Sequence, residues 1–250
     1  MHRFYCPSQN ISGGLITISD KEQTHHLKDV LRLKVNDKAA IFDDKGNEYV
    51  CLLRELLKDK VILEIKSKKL AVRPGKVKLT IACAIPKKSK MDDIIDKLTQ
   101  LGVDRIIPLE TERVIVRWNE AKKTLQRQRW EKVALAAAKQ SQRSALSVIE
   151  PIQDIKEVLS KAQEFDLKLI PALIGRRRPL KEILAKGKPK NILVFIGPEG
   201  DFAPDEVALA GKYGCIPVSL GELVLRVETA AVAVASFIRL GTVPNVSLSS

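Results

Sequence analysis

The chain has 250 residues, 45% hydrophobic and 29% charged, which excludes a disordered protein and allows two modest domains or one large one. Its net charge of +13 points to a polyanionic partner, nucleic acid being the commonest, with a basic surface that only aids solubility as the alternative. Aromatics at 4% argue against a surface built on base stacking. No apolar run reaches the roughly 20 residues that span a bilayer, and Met1-His2-Arg3-Phe4-Tyr5-Cys6-Pro7 is no signal-peptide core, so a cytoplasmic location is expected.

Gly14-Leu15-Ile16-Thr17-Ile18 alternates as a strand does, and Lys21 to Leu31 has helical spacing with His26, Val30 and Leu31 near one face. Ala39-Ala40-Ile41-Phe42, the turn Asp43 to Glu48, and Tyr49 to Leu53 read as strand, turn and strand; Val61 to Ile65 is another strand. Short strands at this spacing with one helix predict a small β-barrel-like module. The charged run Lys66 to Val72, ending in Arg73-Pro74-Gly75, marks the domain boundary and divides the chain into 1–72 and 73–250. The second part carries 30 basic against 20 acidic residues, most of the excess charge.

Beyond the boundary the pattern changes. Val77 to Ile85 is a nearly continuous apolar strand of the kind buried on both faces. Met91 to Leu101 predicts a helix with Ile94, Ile95, Leu98 and Leu101 on one stripe and Gly102 as its C-cap. Arg105 to Leu109 is a strand, and Asn119 to Ser144 a helix or helix pair. Leu167 to Pro171, Asn191 to Ile196 and Cys215 to Leu220 are further strands, each separated by a helical pattern. This alternation predicts an α/β domain with a mainly parallel sheet.

Cys6, Cys51, Cys83 and Cys215 are scattered and form no Cys-x-x-Cys pair, so they read as buried or free thiols. The three histidines, His2, His25 and His26, all lie in the first 26 residues of the chain. The larger C-terminal part therefore uses no histidine base, and no metal site is expected.

Two segments follow predicted strands at the ends where open α/β sheets bind ligands. One is Ile196-Gly197-Pro198-Glu199-Gly200-Asp201-Phe202, ahead of a helix marked by Pro204, Asp205 and Glu206; the other runs from Ser219 through Gly221 and Arg226 to Ala230. Neither is a Gly-x-Gly-x-x-Gly fingerprint, and no Gly-Lys-Ser/Thr loop exists, so a ligand here is not held by its phosphates. Tight turns feeding helices are the plain alternative.

Six pieces carry a family resemblance: Arg3-Phe4; His25-His26-Leu27 with Val30-Leu31-Arg32; Lys97-Leu98-Thr99 before Leu101-Gly102-Val103; Gln140-Ser141 with Arg143; Ile196-Gly197-Pro198-Glu199-Gly200; and Leu225-Arg226 with Glu228-Thr229-Ala230. In this order and spacing they resemble the ribosomal RNA small-subunit methyltransferase E family of the trefoil-knotted (SPOUT) superfamily. The resemblance implies an N-terminal PUA-like RNA-binding barrel and a knotted C-terminal α/β domain in a homodimer. It also implies S-adenosylmethionine as methyl donor and N3 of one uridine in 16S ribosomal RNA, within the small ribosomal subunit, as acceptor. The cofactor contacts it implies are Ile196, Gly197, Glu199, Gly200, Leu220, Gly221 and Leu225, with the loop after Ala172-Leu173-Ile174, Leu173 above all, as the third wall. Arg226 and then Arg143 are the candidate catalytic cations. Arg226 also reads as a phosphate anchor, and Glu199 and Glu228 either as proton acceptors or as helix caps, the cap being preferred for Glu228. Arg3, His25, Arg32, Lys87 and Lys88 are candidate RNA contacts, His25 equally a structural residue; the charge runs Lys87 to Lys90 and Arg176 to Arg178 read either as phosphate contacts or as solvated surface.

Departures from the family pattern are Ala136 for an acidic residue, Ser147 for proline, Gln100 for Glu before Leu101-Gly102-Val103, and Asp201 for a second glycine after Gly200. They bear on the RNA target more than on the reaction. The competing functions are a non-catalytic RNA-binding or ribosome-assembly module, against which the intact Gly197, Gly200, Gly221 and Arg226 argue, and an unrelated nucleotide-dependent enzyme, disfavoured by the missing phosphate loop.

Overall fold

The computed structural model describes residues 1–70, 77–87, 90–141, 143, 145–173 and 175–242. The chain divides into two compact units, Met1–Arg73 with Ala138–Leu146, and Pro74–Ala137 with Ser147–Ser250. The boundary expected at Val72 lies outside the described residues.

The first unit holds β1 (His2–Tyr5), β2 (Ile11–Ser12), β3 (Leu15–Ile18), α1 (Lys21–His25), β4 (Lys38–Phe42), β5 (Asn47–Leu56) and β6 (Val61–Leu70). They form one sheet in the order β1-β4-β5-β6-β3-β2, in which only β1 and β4 pair parallel. Along β5, Tyr49, Cys51 and Leu53 point alternately into a core shared with Phe4, Ile16, Ile41 and Leu63. The β4–β5 turn winds around Asp43, whose buried carboxylate accepts the N–H groups of Lys45 and Asn47 at 2.9 and 2.8 Å and the Tyr49 hydroxyl at 3.1 Å. Burial and this bond push the Tyr49 phenol up to about 12. The helix expected over 21–31 is α1, capped by Asp20 accepting from the Gln23 N–H, followed by a π-helical turn at His26–Val30. β6 is longer than expected: Lys66 and Lys68 continue it because ten-residue β5 offers pairing partners that far, and these side chains lie exposed.

The second unit contains β7 (Lys78–Ala84), α2 (Lys90–Gln100), β8 (Arg105–Glu110), α3 (Glu120–Gln140, its last residues counted with the first unit), β9 (Val148–Ile149), β10 (Gln153–Asp154), α4 (Ile155–Ser160), β11 (Leu167–Pro171), β12 (Arg178–Pro179), α5 (Leu180–Ala185), β13 (Asn191–Ile196), α6 (Pro204–Lys212), β14 (Ile216–Ser219) and α7 (Val227–Thr242). The sheet order is β10-β8-β7-β13-β11-β14-β12, with β9 also on β8, and every pair is parallel. α3 is one helix rather than a pair, since no Gly or Pro interrupts 120–140. The central strands bury both faces. On β13, Ile192, Val194 and Ile196 enter one core and Leu193 and Phe195 the other.

α7 lies on α2, β7 and β13 through Ala231, Val234, Ala235 and Ile238. Its far end is pinned by Arg239, only 5% exposed, which donates to Val77 O at 2.6 Å, to Gly102 O, and to the Asp104 carboxylate at 2.6 Å. Asp104 also accepts the Leu79 N–H at 2.8 Å, so one ion pair ties the end of α7 to the start of β7 and to the turn after α2. That turn carries the expected C-cap, Gly102, at φ +83°. All four cysteines are free and buried; burial pushes the thiols of Cys51, Cys83 and Cys215 up to about 12 and that of Cys6 to about 11. Among the described residues no helix is long and apolar enough to cross a membrane.

Removing the Arg239 side chain takes away the donor to the Val77 and Gly102 carbonyls and one of the donors to the Asp104 carboxylate. Arg239→Ala is therefore expected to destabilise the fold by about 3 kcal/mol, read as a lowered urea midpoint. A variant that unfolds at the wild-type midpoint would show that α7 is held by its apolar face alone.

Candidate functional site

β11 has β13 on one side and β14 on the other. All three run parallel, so their C-terminal ends meet at one edge, where open α/β sheets bind ligands, and a crevice lies between the departing loops. The crevice is a cavity of about 610 Å³, counting the open space at its mouth. Its walls are the loop after β11, with Ala172, Leu173 and Arg177; the loop after β13, with Gly197, Glu199 and Asp201; and the segment from Leu220 to Val227 that leads into α7.

Each loop has a local reason for its path. At Gly197 an added Cβ would sit 3.1 Å from two ring carbons of Phe202, which is fully buried, so a larger residue would force that packed ring to shift. Asp201 has φ +61°, the left-handed conformation that favours glycine, which accounts for an aspartate standing where a second glycine is the pattern. Its carboxylate accepts the N–H of Leu173 at 2.7 Å and of its own neighbour Phe202 at 2.9 Å, stapling the β11 loop to the β13 loop. Glu199 accepts the Lys87 N–H at 3.1 Å. Gly221, at φ +130°, bends the third loop, and the Ser219 hydroxyl donates to its carbonyl at 3.0 Å.

Of the residues expected around the cofactor, Leu173, Ile196, Gly197, Glu199, Leu220, Gly221 and Leu225 all face this cavity. Gly200 does not. Its carbonyl takes a hydrogen bond from Arg113, and a Cβ there would meet nothing closer than 3.6 Å. Ile174 and Lys88 lie outside the described residues. Arg226 is exposed at the rim, between Leu225 and Val227, and its carbonyl accepts the Ala230 N–H in the first turn of α7. Arg143 belongs to the first unit and is 6% exposed.

The expected RNA contacts are spread over both units. Arg3 packs its guanidinium over the Phe42 ring and pairs with Glu48 at 3.3 Å. The exposed His25 meets Asp29 at 2.7 Å, Arg32 is exposed at φ +51°, and Lys87 is exposed. The cavity is also lined by Arg177, which the sequence offers only within the charge run Arg176 to Arg178, and by Leu223 and Val224 of the second segment, which are 81% and 72% exposed.

Glu228, in the first turn of α7, pairs with Lys90 at 2.8 Å. That bond, aided by its own backbone N–H and the nearby Arg226 charge, outweighs partial burial and holds the carboxyl below its ordinary value. A carboxylate so held is a poor proton acceptor and a good helix-start anchor.

Residues 73–239 match the family described as RNA methyltransferase domain, and residues 18–66 the one described as RNA methyltransferase PUA domain. The ribosomal RNA small subunit methyltransferase E of Bacillus subtilis (strain 168) is 30% identical over 217 residues, covering 84% of each chain. That of Rickettsia conorii is 30% identical over 240 residues, 96% of this chain and 95% of its own. A solved structure of ribosomal RNA small subunit methyltransferase E from Neisseria gonorrhoeae, bound to S-adenosyl methionine, matches with a TM-score of 0.84 and 29% identity over 96% of this chain and 97% of that one.

A carboxyl with a lowered value stabilises the fold above its ordinary value of 4.5 and loses that contribution as the pH falls through the lowered one. The urea-midpoint gap between wild type and Glu228→Gln is thus expected at pH 7 and closes as the pH drops below 4.5. A gap unchanged into acid would mean that the charge of Glu228 does not matter.

Proposed function

We propose that this chain, which belongs to the ribosomal RNA small subunit methyltransferase E family, binds S-adenosylmethionine in the cavity at β11 and methylates N3 of one uridine in 16S ribosomal RNA. The observation that carries the proposal is convergence: two motifs far apart in sequence, Ile196 to Glu199 and Leu220 to Leu225, wall the same cavity. The residues fit the cofactor. Ile196, Val218, Leu220 and Leu225 supply apolar walls, and the Glu199 and Asp201 carboxylates suit a ligand that carries sulfonium and ammonium charge.

When bound, the cofactor supplies a methyl group on a good leaving group. The protein's task is then to align two reactants, for which positioning supplies roughly 7–11 kcal/mol. The three loops orient one of them and keep water from its apolar flank. Uridine N3 must also lose a proton, which costs about 3 kcal/mol if its pKa lies two units above ambient. Arg226, at the cavity rim with no side-chain hydrogen bond among the described residues, is the cation that offsets this by stabilising the uridinate; Arg143 is the second candidate. Glu228 serves as the anchor of α7 rather than as the base, as its pairing with Lys90 supports.

The family membership extends the proposal. The N-terminal unit, PUA-like, grips the RNA with Arg3, His25 and Arg32, and Lys87 adds a phosphate contact. The division into domains 1–72 and 73–250 follows the same logic. The chain works as a homodimer in the cytoplasm, where its ribosomal substrate is; the exposed Phe237 and Leu240 of α7, 46% and 74% accessible, support a protein partner there. The return of the chain from β14 past the β11 loop to α7, which packs on β7 and β13, supports the trefoil knot.

Labelled S-adenosylmethionine and small ribosomal subunits from a strain lacking this protein are expected to yield label in 3-methyluridine at one position. Label in a different nucleoside would refute the acceptor; no label together with no cofactor binding would favour a non-catalytic RNA-binding module. Arg226→Ala is expected to keep cofactor affinity while turnover drops about 10²–10³-fold, the usual cost of removing one group that stabilises developing negative charge. Wild-type turnover in that variant would remove Arg226 from the mechanism.

A further inference from the structure

The loop after β11 carries three consecutive arginines, Arg176, Arg177 and Arg178, and the structure separates them. Arg178 begins β12, paired with Val218, and Arg176 is exposed away from the cavity wall. Arg177 alone lines the cavity, and among the described lining residues it is the single cation. One guanidinium nitrogen donates to Ala172 O at 3.2 Å, fastening the side chain to the wall of the β11 loop. Among the described residues it makes no ion pair.

The other two charged groups of the cavity are acids already partnered with backbone. Asp201 holds the N–H groups of Leu173 and Phe202, and Glu199 holds that of Lys87. A guanidinium that lines the same cavity as two carboxylates, and that forms no ion pair among the described residues, is unexplained by a purely cationic ligand. It is explained by a zwitterionic one. A carboxylate accepts two parallel N–H bonds from a guanidinium, a geometry that an ammonium cannot reproduce.

We propose that Arg177 binds the α-carboxylate of the cofactor's methionine tail and so selects for a ligand that carries one. The proposal rests on the cavity being the S-adenosylmethionine site. Arg177 acts on affinity and selectivity and takes no part in methyl transfer.

Calorimetry with two ligands tests it: S-adenosylmethionine, and decarboxylated S-adenosylmethionine, which differs only in lacking the carboxylate. The wild-type protein is expected to prefer the first by about ten-fold or more, the worth of one charge-assisted hydrogen bond. Arg177→Met should lose that factor for S-adenosylmethionine and bind the decarboxylated ligand as the wild type does, which also shows that the variant is folded. Arg177→Lys, with the charge but not the planar fork, should fall between. Equal weakening of both ligands would overturn the proposal in favour of a purely structural role in the loop. No weakening of either would overturn it too, leaving Arg177 to other uses such as an RNA phosphate. Failure of the wild type to bind either ligand is a different result, which refutes the cofactor site and the proposal with it.

Discussion

Strand β11 is hydrogen-bonded to β13 on one side and to β14 on the other, and the site depends on that placement. Parallel strands deliver their C-terminal ends to the same edge. The chain goes from β11 past β14 to β12, back to β13, and then across β11 to β14, so the loops after β11, β13 and β14 leave that one edge around an opening. The apolar runs that build these strands thus act twice. They form the double-sided core, and they set the distance between loops that touch a ligand through short segments.

The position of α7 is the second half of this arrangement. The segment from Leu220 to Arg226 has few anchors of its own: Leu223 and Val224 face solvent, and Gly221 gives it freedom to bend. What constrains it is its two ends, β14 in the sheet and α7 held by Lys90 at one end and by the Asp104 carboxylate at the other. A rim that carries Arg226 can therefore adapt to a ligand while its supports stay still, which suits a site that must receive a large RNA beside a small cofactor.

The sequence was most legible where burial is complete. Val77 to Ile85 and Asn191 to Ile196 show their strands because both faces are apolar, and the α2 stripe with Gly102 shows its helix and its end. β9, β10 and β12, two residues each, carry no period to read and exist only because a longer strand lies beside them. Within the site, Gly197 and Gly221 were legible as glycines with work to do, whereas Arg177 was one of three alike arginines until the strand order chose it. Gly200 shows the reverse: a glycine in the motif whose place in the structure is a carbonyl for Arg113. Two departures from the family pattern also have local causes. The Ser147 hydroxyl donates to Val103 O at 2.7 Å in a buried setting, a bond that a proline cannot make. The Gln100 amide donates to Asp96 one turn earlier at 2.8 Å, where a glutamate would face a like charge. Ala136 is exposed on α3, and nothing in the structure explains its choice.

The cysteines divide evenly, Cys6 and Cys51 in the first unit and Cys83 and Cys215 in the second, and none is more than 5% accessible. Thiolate, not thiol, reacts with alkylating reagents, so burial protects these groups twice, by excluding the reagent and by keeping the proton on. The native chain is consequently silent toward a thiol dye, and each label that does appear records an opening event. Mass spectrometry of the labelled peptides would assign each event to its unit, because every unit owns its own pair. The protein thus carries an internal clock for the breathing of each half, with no engineered probe.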